Sequence, residues 1–360
     1  MKKRKPRKIN YNGFSYMLSK SPLIFSLVTL VMAAGLLAHP VWAQAQAQDT
    51  ASYPVGNPVG LTSDGGFQPI SSNATVYGGM YRAEACTYAP ERGAIVVPSR
   101  GAPPNVQTND AWISLLNHDG SAHTVRWIGI QQPDQRSSLS PPLVLNEPMG
   151  SDVINGILYV ADRTGAAGQD DPSVAIIHKF SMQSGKPIET VRIEDAPWIN
   201  DIEVTEDGTI YATQTGEFSG PNPNPDTWKV WKVAPGGEVS VFAQGAPLNA
   251  PNGIAFDPDG NIVVVNFGNT DVLTYSAEAE LLKTENAAQP GTDGIVIMPD
   301  GTKYVSSVTD GGVSRIRPGE RAELIAENIP SAASMCYDPE ANQLVVPMTS
   351  ENTLAFIPLD

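Results

Sequence analysis

The chain has 360 residues, with 38 acidic and 23 basic side chains and a formal net charge of −15. This acidic balance argues against nucleic acid and anionic membrane surfaces as partners, because both are negatively charged. The sequence lacks Gly-x-Ser-x-Gly, Cys-x-x-Cys and His-Glu-x-x-His motifs, so no motif supports a serine hydrolase or a zinc protease.

The first 45 residues have the organisation of a signal peptide. Lys and Arg are concentrated at residues 2–8, a mostly apolar run follows at residues 22–38, and Ala43 and Ala45 supply small residues for cleavage. Cleavage after Ala43 instead of Ala45 is one alternative, and an uncleaved membrane anchor is another, since a spanning helix needs roughly 17–25 residues. Cleavage after Ala45 removes seven basic and no acidic residues, which leaves 16 basic and 38 acidic side chains and a net charge of −22. We therefore expect a periplasmic or secreted protein that does not associate with membranes after cleavage.

The segment that follows has a composition different from the rest of the chain. Residues 46–72 are rich in Gln, Ala, Ser, Pro and Gly and show no periodicity, which predicts a flexible leader. Residues 73–360 are enough to form one large domain with its own core.

That domain contains six copies of a short unit, spaced about 40–65 residues apart, in which a fixed position precedes a turn and an apolar run. The fixed position holds an oxygen donor in four of the six copies. In chain order, the six residues are Glu84, Met149, Asn200, Asn252, Asp293 and Ala333.

Short β-rich runs follow these positions, often after an Asp-Gly turn, and a second hairpin usually comes next. Four strands per copy, six copies and no helices predict an all-β fold, a six-bladed β-propeller. The last copy lacks an outer strand, and residues 74–77 are predicted to supply it from the N-terminal side. The predicted second strands are 94–98, 157–161, 210–213, 262–266, 303–307 and 344–348.

The two cysteines fall in the first and last repeats, which are neighbours in a closed ring. Cys86 and Cys336 are offset by one position within the repeat, so their side chains point to opposite faces of their strands. A disulfide that closes the ring and two separate buried thiols are both compatible with this arrangement. We expect two separate thiols.

Equivalent positions of a propeller gather around its axis, so the four oxygen donors are predicted to form one metal site at the mouth of the central channel. Two carboxylates and two amides suit Ca²⁺ or another hard cation, with Zn²⁺, Mn²⁺ and Mg²⁺ left open. The competing interpretation is that Asn252-Gly253 and Asp293-Gly294 are ordinary turn dipeptides.

The series of Glu84, Asn200-Asp201, Asn252-Gly253 and Asp293-Gly294 resembles the gluconolactonase/regucalcin (senescence marker protein) family of six-bladed propeller lactone hydrolases. The resemblance covers residues 84–360 and implies one divalent cation bound by Glu84, Asn252 and Asp293. It makes Asn200 a further ligand, or a contact of the metal-bound water or substrate, and Asp293 the catalytic residue. Where the family has Glu-Gly-Pro, this chain has Glu84-Ala85-Cys86. Paraoxonases and diisopropyl-fluorophosphatase have a similar four-oxygen arrangement.

The sequence thus predicts a monomeric hydrolase of a small ester, most consistent with a sugar lactone. Arg100 and Arg163 are the candidate substrate contacts, by loop position, and surface salt bridges are the alternative for both. Two other functions stay open: a non-catalytic propeller that binds a ligand or protein around a structural Ca²⁺, and a hydrolase of phosphotriesters.

Overall fold

The structure of the protein, a computed structural model, describes residues 60–61, 67–68, 73–78, 80–101, 109–165, 172–219 and 221–360. The chain divides into two units, Met1–Ser52 and Tyr53–Asp360. The predicted signal peptide and most of the predicted leader lie outside the described residues, and the domain boundaries therefore stay a prediction. Within the leader, β1 (Gly60–Leu61) pairs antiparallel with β2 (Phe67–Gln68).

The main architecture consists of six four-stranded antiparallel sheets, which confirms the predicted six-bladed propeller. Strand β3 (Thr75–Gly78) belongs to the last blade. Blade 1 contains β4 (Thr87–Ala89), β5 (Ala94–Ser99), β6 (Trp112–Leu116) and β7 (Ala122–Ile128). Blade 2 contains β8 (Ser151–Ile154), β9 (Ile157–Thr164), β10 (Val174–Ser181) and β11 (Pro187–Ile193). Blade 3 contains β12 (Ile202–Val204), β13 (Ile210–Gln214), β14 (Lys229–Val233) and β15 (Val239–Gln244).

The remaining three blades follow the same order. Blade 4 contains β16 (Pro251–Phe256), β17 (Ile262–Asn266), β18 (Asp271–Tyr275) and β19 (Leu281–Asn286). Blade 5 contains β20 (Thr292–Ile297), β21 (Lys303–Ser307), β22 (Gly312–Ile316) and β23 (Glu323–Ala326). Blade 6 contains β24 (Cys336–Asp338), β25 (Gln343–Met348), β26 (Thr353–Pro358) and, as its outer strand, β3.

The ring is closed by pairing between the two ends of the domain. Strand β3 pairs antiparallel with β26, with Val76 opposite Ala355, as the missing outer strand predicted. The first strands of consecutive blades contact one another, and β24 contacts β4, so blade 1 and blade 6 are neighbours.

The burial of the strands explains why the sequence pattern changes across each blade. The second strands are covered by neighbouring blades on both faces, and all residues of β5, β13, β17, β21 and β25 are buried. The outer strands have solvent on one side, and β19 is almost entirely exposed. Continuous apolar runs therefore identify second strands, whereas outer strands carry a weaker signal.

The expectation of two separate thiols is wrong, because Cys86 and Cys336 form a disulfide with Cα atoms 5.5 Å apart. Neighbouring blades pack face against face, so one face of blade 6 meets the opposite face of blade 1. The offset that directs the two side chains to opposite faces therefore brings them together. Both cysteines lie in an apolar cluster with Ile95, Val97 and Phe356 between these two blades.

The expectation of a chain without helices is also wrong in detail. A six-residue helix, α1 (Pro133–Ser138), lies in the connection between blades 1 and 2, with proline at its start. Short 3-10 turns occur at Pro225–Thr227 and Thr349–Glu351. In the described part of the chain, no helix combines the length and hydropathy needed to cross a bilayer.

Candidate metal centre and its pocket

All six repeated positions converge on one cavity of about 390 Å³ at one end of the propeller axis. Four of them bring the predicted oxygen donors together, whereas Met149 and Ala333 add apolar surface. The six positions that are equivalent in the sequence repeats therefore lie around one cavity.

A second ring of equivalent residues surrounds the first. One residue within one position of the end of each second strand lines the same cavity. Going from blade 1 to blade 6, these residues are Arg100, Arg163, Thr215, Phe267, Val308 and Thr349.

The four oxygen donors are buried at the bottom of the cavity, with exposures of 3–6%. Each has one buried side-chain oxygen that accepts no hydrogen bond from any described residue: Glu84 Oε2, Asn200 Oδ1, Asn252 Oδ1 and Asp293 Oδ1. Leaving a buried acceptor unpaired costs about 1–3 kcal/mol, and more for a charged group. Four such atoms around one axis indicate a common ligand.

Hydrogen bonds fix the orientation of the two amides. The Asn252 Nδ2 atom donates to Asp293 Oδ2 at 3.1 Å, and Asn200 Nδ2 donates to Thr215 Oγ1 at 3.3 Å. Because each NH₂ group is engaged, each carbonyl oxygen is left to a ligand in the cavity.

Burial of the two carboxylates changes their acidity. Burial, reinforced by Asp201, raises the pKa of Asp293 to about 8. Burial and the nearby Asp293 raise the pKa of Glu84 well above its usual range. The positive charge of Arg100 acts in the opposite direction on both groups, and burial lowers the pKa of Arg100 itself to about 10. A cation between the carboxylates would favour their ionised forms.

The donor set fits a hard divalent cation. No group of three or more His, Cys, Asp and Glu residues suited to a metal occurs among the described residues. The four side chains offer two carboxylates and two amides, an oxygen-only set of the kind that Ca²⁺ accepts and that structural zinc sites do not use.

The glycines after two of the donors serve close packing instead of turns. Gly253 and Gly294 lie inside β16 and β20, and neither has a positive φ. A Cβ atom on Gly253 would lie 2.3 Å from the carbonyl oxygen of Asp293, and one on Gly294 would lie 2.5 Å from the Met335 nitrogen. The turn-dipeptide interpretation is therefore wrong for both sites.

Both arginines that the sequence offered as substrate contacts line the cavity, and Glu147 lies between them. Glu147 forms ion pairs with Arg100 and, at 2.5 Å, with Arg163 Nη2. The Asp162 carboxylate fixes the segment that contains Glu147, because it accepts hydrogen bonds from the backbone nitrogens of Asn146 and Glu147 at 2.8 and 2.7 Å. The two guanidinium groups thus line the cavity, and both are paired with Glu147 there.

Several lining residues escaped sequence analysis. Glu147, Trp198 and Ser331 each lie two positions before a repeated position, and this constant offset is a signal that could have revealed them. Phe218 comes from the long loop at residues 216–226, and the centroid of its ring lies 4.9 Å from that of Phe267.

A known protein family matches the part of the chain that contains three of the four oxygen donors. A family model described as the SMP-30/gluconolactonase/LRE-like region matches residues 150–351. The chain belongs to this family. Membership confirms the predicted relationship and identifies the protein as a lactonase, a hydrolase that acts on lactones. The matched region contains Asn200, Asn252 and Asp293 and begins after Glu84.

Solved structures share the architecture at low sequence identity. A gluconolactonase from Xanthomonas campestris is 18% identical, over 80% of this chain and 90% of that chain, with a TM-score of 0.52. Virginiamycin B lyase from Staphylococcus aureus is 11% identical, over 80% of this chain and 100% of that chain, with a TM-score of 0.52. These similarities establish the fold alone.

Proposed function

We propose that this lactonase depends on one divalent cation held by Glu84, Asn200, Asn252 and Asp293, and that the cation is Ca²⁺. The observation that carries the proposal is the set of four buried oxygens, one from each residue, without a hydrogen-bond partner among the described residues. The two carboxylates would balance the charge of the cation, and water would complete its coordination.

Lactone hydrolysis requires activation of the substrate carbonyl and the movement of two protons. A bound divalent cation supplies Lewis acidity toward the substrate carbonyl oxygen. Hydrolysis joins a water oxygen to the acyl carbon and breaks the bond from that carbon to the ring oxygen. One proton must therefore leave the water, and one must reach the ring oxygen.

Asp293 is the group proposed to accept the proton of the attacking water. Its Oδ2 atom is held by Asn252, whereas its Oδ1 atom lines the cavity without such a bond. Arg100 favours the ionised form of Asp293, which is the form that accepts a proton. Direct attack of this carboxylate on the acyl carbon is the second route, and it also requires an ionised Asp293.

The test compares Asp293→Asn with Asp300→Asn, an aspartate of the same repeat that lies at the exposed turn on the far end of β20. We expect the Asp293 variant to lose at least about a hundredfold in kcat on a lactone while keeping its circular dichroism spectrum. The Asp300 variant should retain its activity. An Asp293 variant with normal turnover would overturn the assignment.

Two assays distinguish the lactonase from its two alternatives. A propeller whose Ca²⁺ is structural would have a lower melting temperature in the Asp293 variant, and its unmodified form would show no lactone turnover. A phosphotriesterase would hydrolyse a fluorophosphate faster than a lactone when both are assayed side by side.

We also propose that the protein is exported. The Cys86–Cys336 disulfide supports this location, because disulfides persist in the periplasm and outside the cell and are rare in the cytosol. Export would be tested by mass spectrometry of the mature N-terminus, where a chain that begins after Ala43 or Ala45 is expected.

A further inference from the structure

The cavity is amphipathic because of the order in which the blades contribute to it. In a ring of six, blade 1 lies across the axis from blade 4, and blade 2 lies across from blade 5. The second ring of lining residues therefore places Arg100 opposite Phe267 and Arg163 opposite Val308.

The apolar half is extended by residues from other positions. Phe218 packs edge to face on Phe267, with ring centroids 4.9 Å apart, and keeps 37% of its surface exposed. Trp198 is partly buried and lines the same cavity. An aromatic and aliphatic wall open to solvent at the mouth of a cavity is a surface that an apolar ligand would cover.

The hydroxyl groups of the lining are already engaged with the protein. Thr215 donates to the Pro251 carbonyl at 2.9 Å, and Thr349 donates to the Ala83 carbonyl at 2.8 Å. Ser331 and Ser350 bond to each other at 2.6 Å.

The charged groups of the wall pair with one another, although the buried Arg100 Nε has no hydrogen-bond partner among the described residues. Arg100 and Arg163 share the Glu147 carboxylate, and Asp162 accepts from three backbone nitrogens. A polyhydroxylated substituent lying on the aromatic wall opposite the arginines would find few hydrogen-bond partners among the described residues to replace its bonds to water, which is unfavourable.

We infer that the substrate is a lactone whose ring carries an apolar alkyl or aryl substituent. The lactone carbonyl lies at the position of the cation proposed between the four oxygen donors, and the substituent lies on the wall formed by Trp198, Phe218 and Phe267. This inference rests on the proposed function and specifies the substrate class of the same site.

The first experiment compares two six-membered lactones that differ in their substituents. Kinetics are measured on the Ca²⁺-supplemented full-length mature protein with δ-decanolactone, which carries a pentyl chain, and with D-glucono-δ-lactone. We expect kcat/KM to be at least about tenfold higher for δ-decanolactone, since each buried methylene adds to binding. Equal or better turnover of D-glucono-δ-lactone would overturn the inference and leave the lactonase proposal intact. No turnover of either lactone would overturn both.

The second experiment removes the aromatic wall. Phe218→Ala and Phe267→Ala should each raise KM for δ-decanolactone about tenfold with little change in kcat, because an apolar contact binds ground state and transition state alike. With δ-valerolactone, which has the same ring and no substituent, both substitutions should raise KM less than they do with δ-decanolactone. Leu282→Ala, on an exposed outer strand, is the matched control. An unchanged KM for δ-decanolactone in both phenylalanine variants would contradict the inference.

Discussion

Asp201 and Ser334 join opposite sides of the propeller, because Ser334 Oγ donates to Asp201 Oδ2 at 3.2 Å. The two residues lie just before the inner strands of blades 3 and 6, β12 and β24, and each follows a repeated position directly. Asp201 also accepts from the backbone nitrogens of Ile202 and Ile254, at 2.9 and 3.3 Å. One carboxylate thus links three blades immediately beside the four oxygen donors.

Loss of the bond between opposite blades should weaken the fold modestly. Ser334→Ala removes one hydrogen bond to a carboxyl group that keeps two backbone donors, so we expect a loss of about 1.5 kcal/mol in the free energy of unfolding. Urea denaturation measures this loss. Ser240→Ala, on an exposed outer strand, should cost almost nothing, and equal costs for both variants would show that the contact across the axis adds no stability.

The disulfide between the first and last blades should be a major source of stability. Cys86→Ser with Cys336→Ser is expected to lower the free energy of unfolding by about 2–4 kcal/mol, because the bond restricts the unfolded chain. Thermal denaturation with and without reductant checks this in the natural sequence. If thiol labelling shows complete reduction and the melting temperature does not change, the expectation is wrong.

The glycines at the centre should be sensitive to a single added methyl group. Gly294→Ala would force Cβ against the Met335 backbone and should cost about 1–3 kcal/mol or more. Gly236→Ala is the matched control, since a Cβ there meets nothing within 4 Å and Gly236 does not have positive φ. Chemical denaturation of both variants measures this cost, and a Gly294 variant as stable as the Gly236 variant would contradict close packing at Gly294.

The metal-free protein should become less stable as pH rises. Burial raises the pKa of Asp152 to about 6, of Asp201 to about 7 and of Asp293 to about 8, whereas carboxyl groups of unfolded chains titrate near pH 4. Between these values the native state retains protons that the unfolded state has lost, so stability decreases with increasing pH.

Urea denaturation in chelator at about pH 5, 7 and 9 tests this dependence. Addition of Ca²⁺ should reduce the decrease, because metal binding requires ionised ligands. Stability that rises from about pH 5 to 9 in chelator would contradict the assigned burial of these carboxylates.

The sequence predicted the parts of the site that recur in register. The same position of four repeats is occupied by Glu84, Asn200, Asn252 and Asp293. A closed ring brings equivalent positions together regardless of the conformations of the loops. The architecture followed from the same regularity, together with the continuous apolar second strands.

What the sequence did not predict depends on contacts between blades. The alternation of side chains within one sheet does not predict the pairing of Cys86 with Cys336, because the two strands belong to different sheets that pack face to face. The sequence repeat does not reveal the aromatic wall. Phe218 lies in a long loop outside the repeat, and Phe267 has a different residue type from its equivalents Arg100 and Thr215. A repeat reveals positions that share a residue type, and substrate contacts differ between copies.

The most direct test of the account measures proton release during lactone hydrolysis before and after removal of divalent metal. The mature protein is assayed as purified, after chelation and buffer exchange with metal content checked by elemental analysis, and after Ca²⁺ is returned. The account predicts that hydrolysis falls to the uncatalysed rate without metal and recovers with Ca²⁺. Full activity in protein shown to be free of divalent metal would contradict it.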